Sequence, residues 1–245
     1  MDNQNFNFQD PIDVQSVNTV GKEVAQRAFM SRVFTWMALG LGLTGLLAYA
    51  FANTSLISLI ISAGHPTPLF YIAVFSPLII TLVMGLGFNK LSYGAMIVSF
   101  LLYSGLMGIS LSVILLVYTA ASVYSMFFVT AGIFGLMAFL GYTTSTDLTK
   151  FGMLMFMLLV GVIISSVINW FMHSSTLDYI LNFVCIGIFT GLTAYKVQML
   201  KNLGAQVYSN GEATMGKTAV WGALSLYITF VNLFLTLLRI FGNRR

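Results

Sequence analysis

The sequence predicts an all-α membrane protein, a bundle of seven transmembrane helices. Three observations carry that prediction. Of the 245 residues, 58% are hydrophobic and only 7% are charged, whereas a soluble domain has about 25% charged residues. The apolar residues fall into seven long runs, close to the ~20 helical residues that cross a bilayer core. Basic residues gather in alternate loops between those runs, as the positive-inside rule requires. Disorder would need low hydrophobicity, and a β-barrel would show short alternating segments. The net charge of +4 comes from a shortage of acids, so it is no nucleic-acid footprint.

Residues 1–20 are rich in Asn, Gln and Asp, with Pro11, and read as a mobile polar tail. The membrane domain is expected over 21–242, followed by a basic tail at 243–245. Lys22, Arg27 and Arg32 precede the first run, Val33 to Ala52. That run exceeds the usual signal-peptide core and is read as a retained first membrane helix. His65-Pro66-Thr67-Pro68 marks a loop. Leu56 to Ile61 before it either extends the first helix or lies at the interface. The second span covers about Leu69 to Phe88, with Pro77 as an expected kink. Asn89 and Lys90 make a short turn.

The third span covers about Gly94 to Val117, with Ser104, Gly105 and Gly108 as small packing residues. Tyr118 to Ala120 then form a tight hairpin into the fourth span, Ala121 to Gly141. Tyr142 to Lys150 is a polar cluster, and its Asp147 reads as a helix cap or a solvated charge rather than an ion ligand. The fifth span covers Phe151 to Phe171. Met172 to Asp178 is read as a loop, with His173 solvated and no partner at metal-ligand spacing. The sixth span covers about Tyr179 to Tyr195 and carries Gly187, Gly191 and Ala194 on one face. Cys185, the only cysteine, excludes an intramolecular disulfide and reads as a packing residue. Lys196 to Lys217 is the longest internal polar stretch, with a turn expected at Ser209-Asn210-Gly211.

The seventh run, Ala219 to Phe241, organises the rest. Its polar residues Ser225, Thr229, Asn232, Thr236 and Arg239 recur at steps of four, three, four and three. On a helix that spacing makes one seam. Asn and Arg are costly against lipid, so the seam faces protein or a polar cavity. It is either interhelical hydrogen-bond glue or the lining of a pathway, with Lys196 and Arg239 near its two ends.

With the N-terminus cytoplasmic, eight of the eleven Lys and Arg fall on the inner side. Loops 53–68, 118–120 and 172–178 hold none. Arg239, Arg244 and Arg245 conflict with seven full crossings. A re-entrant last segment would remove the conflict, but the run is long and free of Pro, so seven crossings are expected. No HExxH, GxSxG or P-loop is present, and no carboxylate sits in the middle of a span. No catalytic, metal or cofactor site is therefore expected, and the chain is not read as an enzyme.

FTGLTAYKVQMLK (189–201) and GALSLYITFVNLFLTLLRIFG (222–242) resemble the last two membrane segments of the Bax-inhibitor-1 family, also called the transmembrane Bax inhibitor motif family. RAFMSRVFTWMALGLGLTGLLAYAFA is similar to the family's start. The resemblance covers about residues 20–242. It implies a seven-helix bundle with the last helix central; the positive-inside bias and the absence of an organellar address fit the inner membrane of a bacterium. It also implies a pH-sensitive calcium leak, a role in stress tolerance, and association with a membrane AAA protease. In leak-competent members two aspartates, one in each of the last two segments, form the latch. Here those positions are Lys196 and Thr229. An acid pair is absent, and a lysine beside a cation path repels calcium. Lys196 either snorkels to the cytoplasmic interface, the simpler reading, or gates. Two functions follow: a calcium-leak-type channel or stress-related modulator, and a non-conducting protein that binds other membrane proteins.

Overall fold

A computed structural model describes residues 14–62, 65–207 and 211–245. Seven helices run through the described residues: α1 Val14–Asn53, α2 Pro68–Leu86, α3 Tyr93–Val117, α4 Ala120–Thr143, α5 Thr149–Met172, α6 Ser175–Val207 and α7 Glu212–Phe241. All seven are long and apolar enough to cross a membrane. Between α1 and α2 lie a 3-10 turn, Ser55–Leu59, and a two-residue antiparallel ladder, β1 Ile61–Ser62 with β2 His65–Pro66. Leu56 to Ile61 thus do not extend the first helix, which ends at Asn53. Most of the expected N-terminal tail, residues 1–13, lies outside the described residues, as do residues 209–210 of the expected turn; Val14 to Val20 are helical.

Three expected boundaries move, for one physical reason. α1 starts well before Val33, α6 runs on past Tyr195 to Val207, and the polar stretch 196–217 is mostly helix. Hydropathy marks where a chain meets lipid, whereas a helix needs only an apolar stripe to pack. Val197, Leu200, Gly204 and Val207 supply that stripe at helical steps, and all are buried. Ala25, Phe29 and Val33 supply the facing one. At Gly204 a Cβ would meet the Phe29 ring, so the two extensions pack on each other. The expected loop 172–178 shrinks in turn, because α6 already begins at Ser175. His173 ends α5 in the left-handed conformation, with φ 52°.

The core is built around α7. Eighteen of its 30 residues are buried, against two of the 24 in α5. α1, α3, α4 and α6 all pack on it. The last helix is therefore central, as expected. Its N-terminal end meets α1, where Arg32 donates to both carboxylate oxygens of Glu212 at 2.7 and 3.1 Å. Its far end meets the α3–α4 hairpin. There Thr119 N donates to Asn243 O at 3.0 Å and Arg245 N to Val117 O at 2.9 Å. α7 thus traverses the whole bundle and is not re-entrant.

Two local solutions deserve their chemistry. Pro77 lacks an N–H, which leaves the carbonyl of Ala73 without its helical donor. Ser110 Oγ on α3 reaches that carbonyl at 2.7 Å. At Gly108 and Gly141 helices touch through backbone: a Cβ would collide with Thr44 O at the first and with the Ala194 backbone at the second. Only glycine allows that approach. The sixth span's small face contributes through Ala194 and through Gly191, which lies under the Phe151 ring, but not through Gly187, which has open space.

Candidate functional site

The seam on α7 forms as its spacing requires. Thr229 and Thr236 are buried, Ser225 and Asn232 are half-buried, and Arg239 is exposed. Most of its donors are spent within the helix. Thr229 Oγ1 donates to Ser225 O at 3.0 Å, Asn232 Nδ2 to Ile228 O at 2.9 Å and Thr236 Oγ1 to Asn232 O at 2.7 Å. These are bonds to the carbonyl one turn back, which satisfy polar side chains in an apolar setting. Arg239 stands in the last turn, where a cation favours the helix dipole.

Lys196 meets this seam from α6. Its Nζ donates to Thr229 Oγ1 at 2.8 Å and to Ser225 O at 3.2 Å. The ammonium is therefore held against α7 and does not snorkel. Its reach is set by register: Lys196 sits past the middle of α6, which packs along α7. Among the described residues it has no carboxylate within ion-pair distance, the ion pairs being Arg27–Glu23 and Arg32–Glu212. The two positions that the resemblance assigns to a latch are thus in direct contact, as a cation and a hydroxyl.

A second polar node lies beside it and was not evident in the sequence. Tyr227 OH and Thr44 Oγ1 are 2.6 Å apart, and Thr44 Oγ1 lies 2.8 Å from both Gly40 O and Ser104 O. This ties α1, α3 and α7 together under the Phe100 and Tyr103 rings, which pack edge-on against Tyr227. Thr44 stands alone in its apolar run and Tyr227 falls outside the four-three spacing of the seam, so no local spacing announces the node.

At the end of the bundle near the start of α5, Gln198 Nε2 donates to Thr146 O at 2.7 Å and its Oε1 accepts from Leu148 N at 2.8 Å. Asp147 accepts from Thr149 Oγ1 at 2.6 Å and from Thr149 N at 2.9 Å. Those two bonds hold its carboxyl below the ordinary value. It is a turn residue, as its sequence context suggested. No group of three or more His, Cys, Asp or Glu gathers among the described residues.

A seven-helix bundle wrapped around a buried, polar-seamed last helix defines a class of multipass membrane protein. Residues 26–245 match the family described as inhibitor of apoptosis-promoting Bax1. The chain belongs to the Bax inhibitor-1 family. It is 40% identical over 232 residues to the inner membrane protein YbhL of Escherichia coli K12, covering 94% of this chain and 98% of that one. It is 38% identical over 221 residues to the uncharacterized protein RP147 of Rickettsia prowazekii, covering 89% and 91%. An uncharacterized protein of Borreliella burgdorferi is 39% identical over 217 residues, covering 89% and 92%. The seven apolar spans and the Escherichia coli relative support a multipass protein of the inner membrane.

Proposed function

We propose that this chain is a membrane modulator that acts by binding other membrane proteins, and that its bundle does not leak calcium. The observation that carries this reading is the Lys196 ammonium seated on Thr229 and Ser225. Calcium takes six to eight oxygen ligands, usually with carboxylates among them. A positive charge at the seam opposes such a site, and Thr229 Oγ1 already accepts from it. A membrane AAA protease is the partner that the resemblance implies. The N-terminus is cytoplasmic in this reading, because Arg27, Arg32, Lys90, Lys150, Lys201 and Lys217 then share the inner side.

The contact between Lys196 and Thr229 favours a second reading of the scaffold: the geometry of a leak is kept while its ion site is gone. One experiment addresses both. Calcium flux is measured into proteoliposomes holding the purified protein at neutral and acidic pH. The expected result is no flux from the wild type and flux from the Lys196→Asp, Thr229→Asp double variant. Protein-dependent flux from the wild type would overturn the modulator reading and direct attention to Asn232 and the seam hydroxyls. Impermeant thiol labelling of cysteines placed at Lys90 and Arg245, after removal of Cys185, tests the sidedness. Labelling of both from the same face would sink it.

A further inference from the structure

α1 and α4 both pack on α7, yet they leave an open groove of about 660 Å³ between them. Its walls run from Met30 to Leu41 on α1 and from Ala138 to Ala131 on α4, with Phe230 of α7 as the floor. On the α4 wall Ala131, Gly135 and Ala138 recur at steps of four and three, between the Phe134 and Phe139 rings. Past Ala131 the Phe127 ring stands 5.6 Å from that of Phe230. The walls are apolar throughout. At the open end the lining changes to Arg27 and Tyr142. Lys201 adds a second cation there, donating to Tyr142 O at 2.9 Å and lying 4.8 Å from its ring centre.

Length decides between occupants. Met30 to Leu41 spans eleven helical steps, or about 16 Å. The hydrocarbon core is about 30 Å thick, so one leaflet is about 15 Å. A transmembrane helix would need a groove through both leaflets. A single acyl chain needs one leaflet, with its headgroup at the charged end. Arg27 is exposed, and its acidic neighbour Glu23 is 3.8 Å away at the long limit of an ion pair, so its guanidinium retains donors for a phosphate.

We propose that this groove binds an anionic phospholipid, with one acyl chain between α1 and α4 and the phosphate at Arg27. The site is independent of whether the seam conducts. The test is native mass spectrometry of the full chain in detergent, titrated separately with dioleoyl phosphatidylglycerol and dioleoyl phosphatidylcholine. The wild type is expected to retain the first lipid at about fivefold lower concentration than the second, the contribution of one cation near an anionic headgroup. Arg27→Gln is expected to lower that preference to what Lys201 alone supplies, and Glu23→Gln to widen it. Gly135→Leu fills the groove, because no atom lies within 4 Å of a Cβ at that position. It should lower retention of both lipids while the melting temperature is kept. Equal retention of the two lipids by the wild type, or undiminished retention by Gly135→Leu, would overturn the proposal. So would dimers of the wild type that Gly135→Leu dissociates, since they would give the groove to a second copy of the chain.

Discussion

Lys196 Nζ donates to Thr229 Oγ1 at 2.8 Å, so a charge on α6 is held by a neutral oxygen on α7. Removing only the acceptor leaves the charge under-solvated, whereas removing the charge leaves a hydroxyl that already bonds Ser225 O. Thr229→Val is expected to destabilise by about 1.5–3 kcal/mol, the worth of a hydrogen bond to a charged group. Lys196→Met should be neutral or stabilising, and the double variant should recover most of the loss. Thermal melting in detergent checks the order. A Lys196→Met variant less stable than Thr229→Val would mean that the ammonium is well solvated in the native state.

The Ser110–Ala73 bond exists because Pro77 left a carbonyl free. Ser110→Ala should therefore cost about 0.6–1.7 kcal/mol, the range for interhelical hydrogen bonds in membranes. In a Pro77→Ala background the helix supplies its own donor, and the cost of Ser110→Ala should fall toward zero. A double-mutant cycle on melting data measures that coupling. Equal costs in the two backgrounds would show that the serine serves some other need.

Gly141 lies directly on the backbone of Ala194, where neither partner can move aside as a side chain does. Gly141→Val should cost at least the ~1–3 kcal/mol of overpacking and loosen α4 from α6. Fluorescence-detected size exclusion after heating reads this. Retention of the wild-type melting temperature would mean that the helices separate freely at this point.

Asp147 receives two bonds from Thr149, and both favour its ionised form. Its folded value lies below its unfolded one. The stabilisation is therefore complete above the ordinary carboxylate range and is lost as pH falls through the lowered value. Hydrogen exchange at Thr149 N should be slow and unchanged from neutral pH down to the ordinary carboxylate range, then rise relative to its intrinsic rate. Thr149→Ala should move the onset to higher pH. An onset unaffected by that substitution would remove Asp147 as the group responsible.

The sequence made the helices legible because seven runs of Leu, Phe, Ile and Val have no other way to satisfy their backbone in lipid. It made the seam legible because Ser225, Thr229, Asn232 and Thr236 keep a helical step within one segment. Lys196 was misread as an interfacial residue, since its acceptors lie 29 and 33 positions away and local pattern carries no such distance. The Thr44–Tyr227 contact spans 183 positions, and a lone threonine among Leu and Gly looks like any other. The helical extensions at Phe29 and Val207 were missed because charge in those stretches masked their apolar stripes. The groove between α1 and α4 depends on how two remote helices splay over α7, which no run of residues encodes.

The helix that supplies the largest share of the core is seventh in order. Six hydrophobic segments leave the ribosome and enter the bilayer before α7 is made. During that interval Phe29, Phe100, Phe134 and Leu200 line a slot with no occupant. The α1–α3 and α5–α6 pairs can form beforehand, but the core closes only when α7 is seated between helices already in the membrane. Chains stalled before Glu212 would be the species that a membrane quality-control system meets.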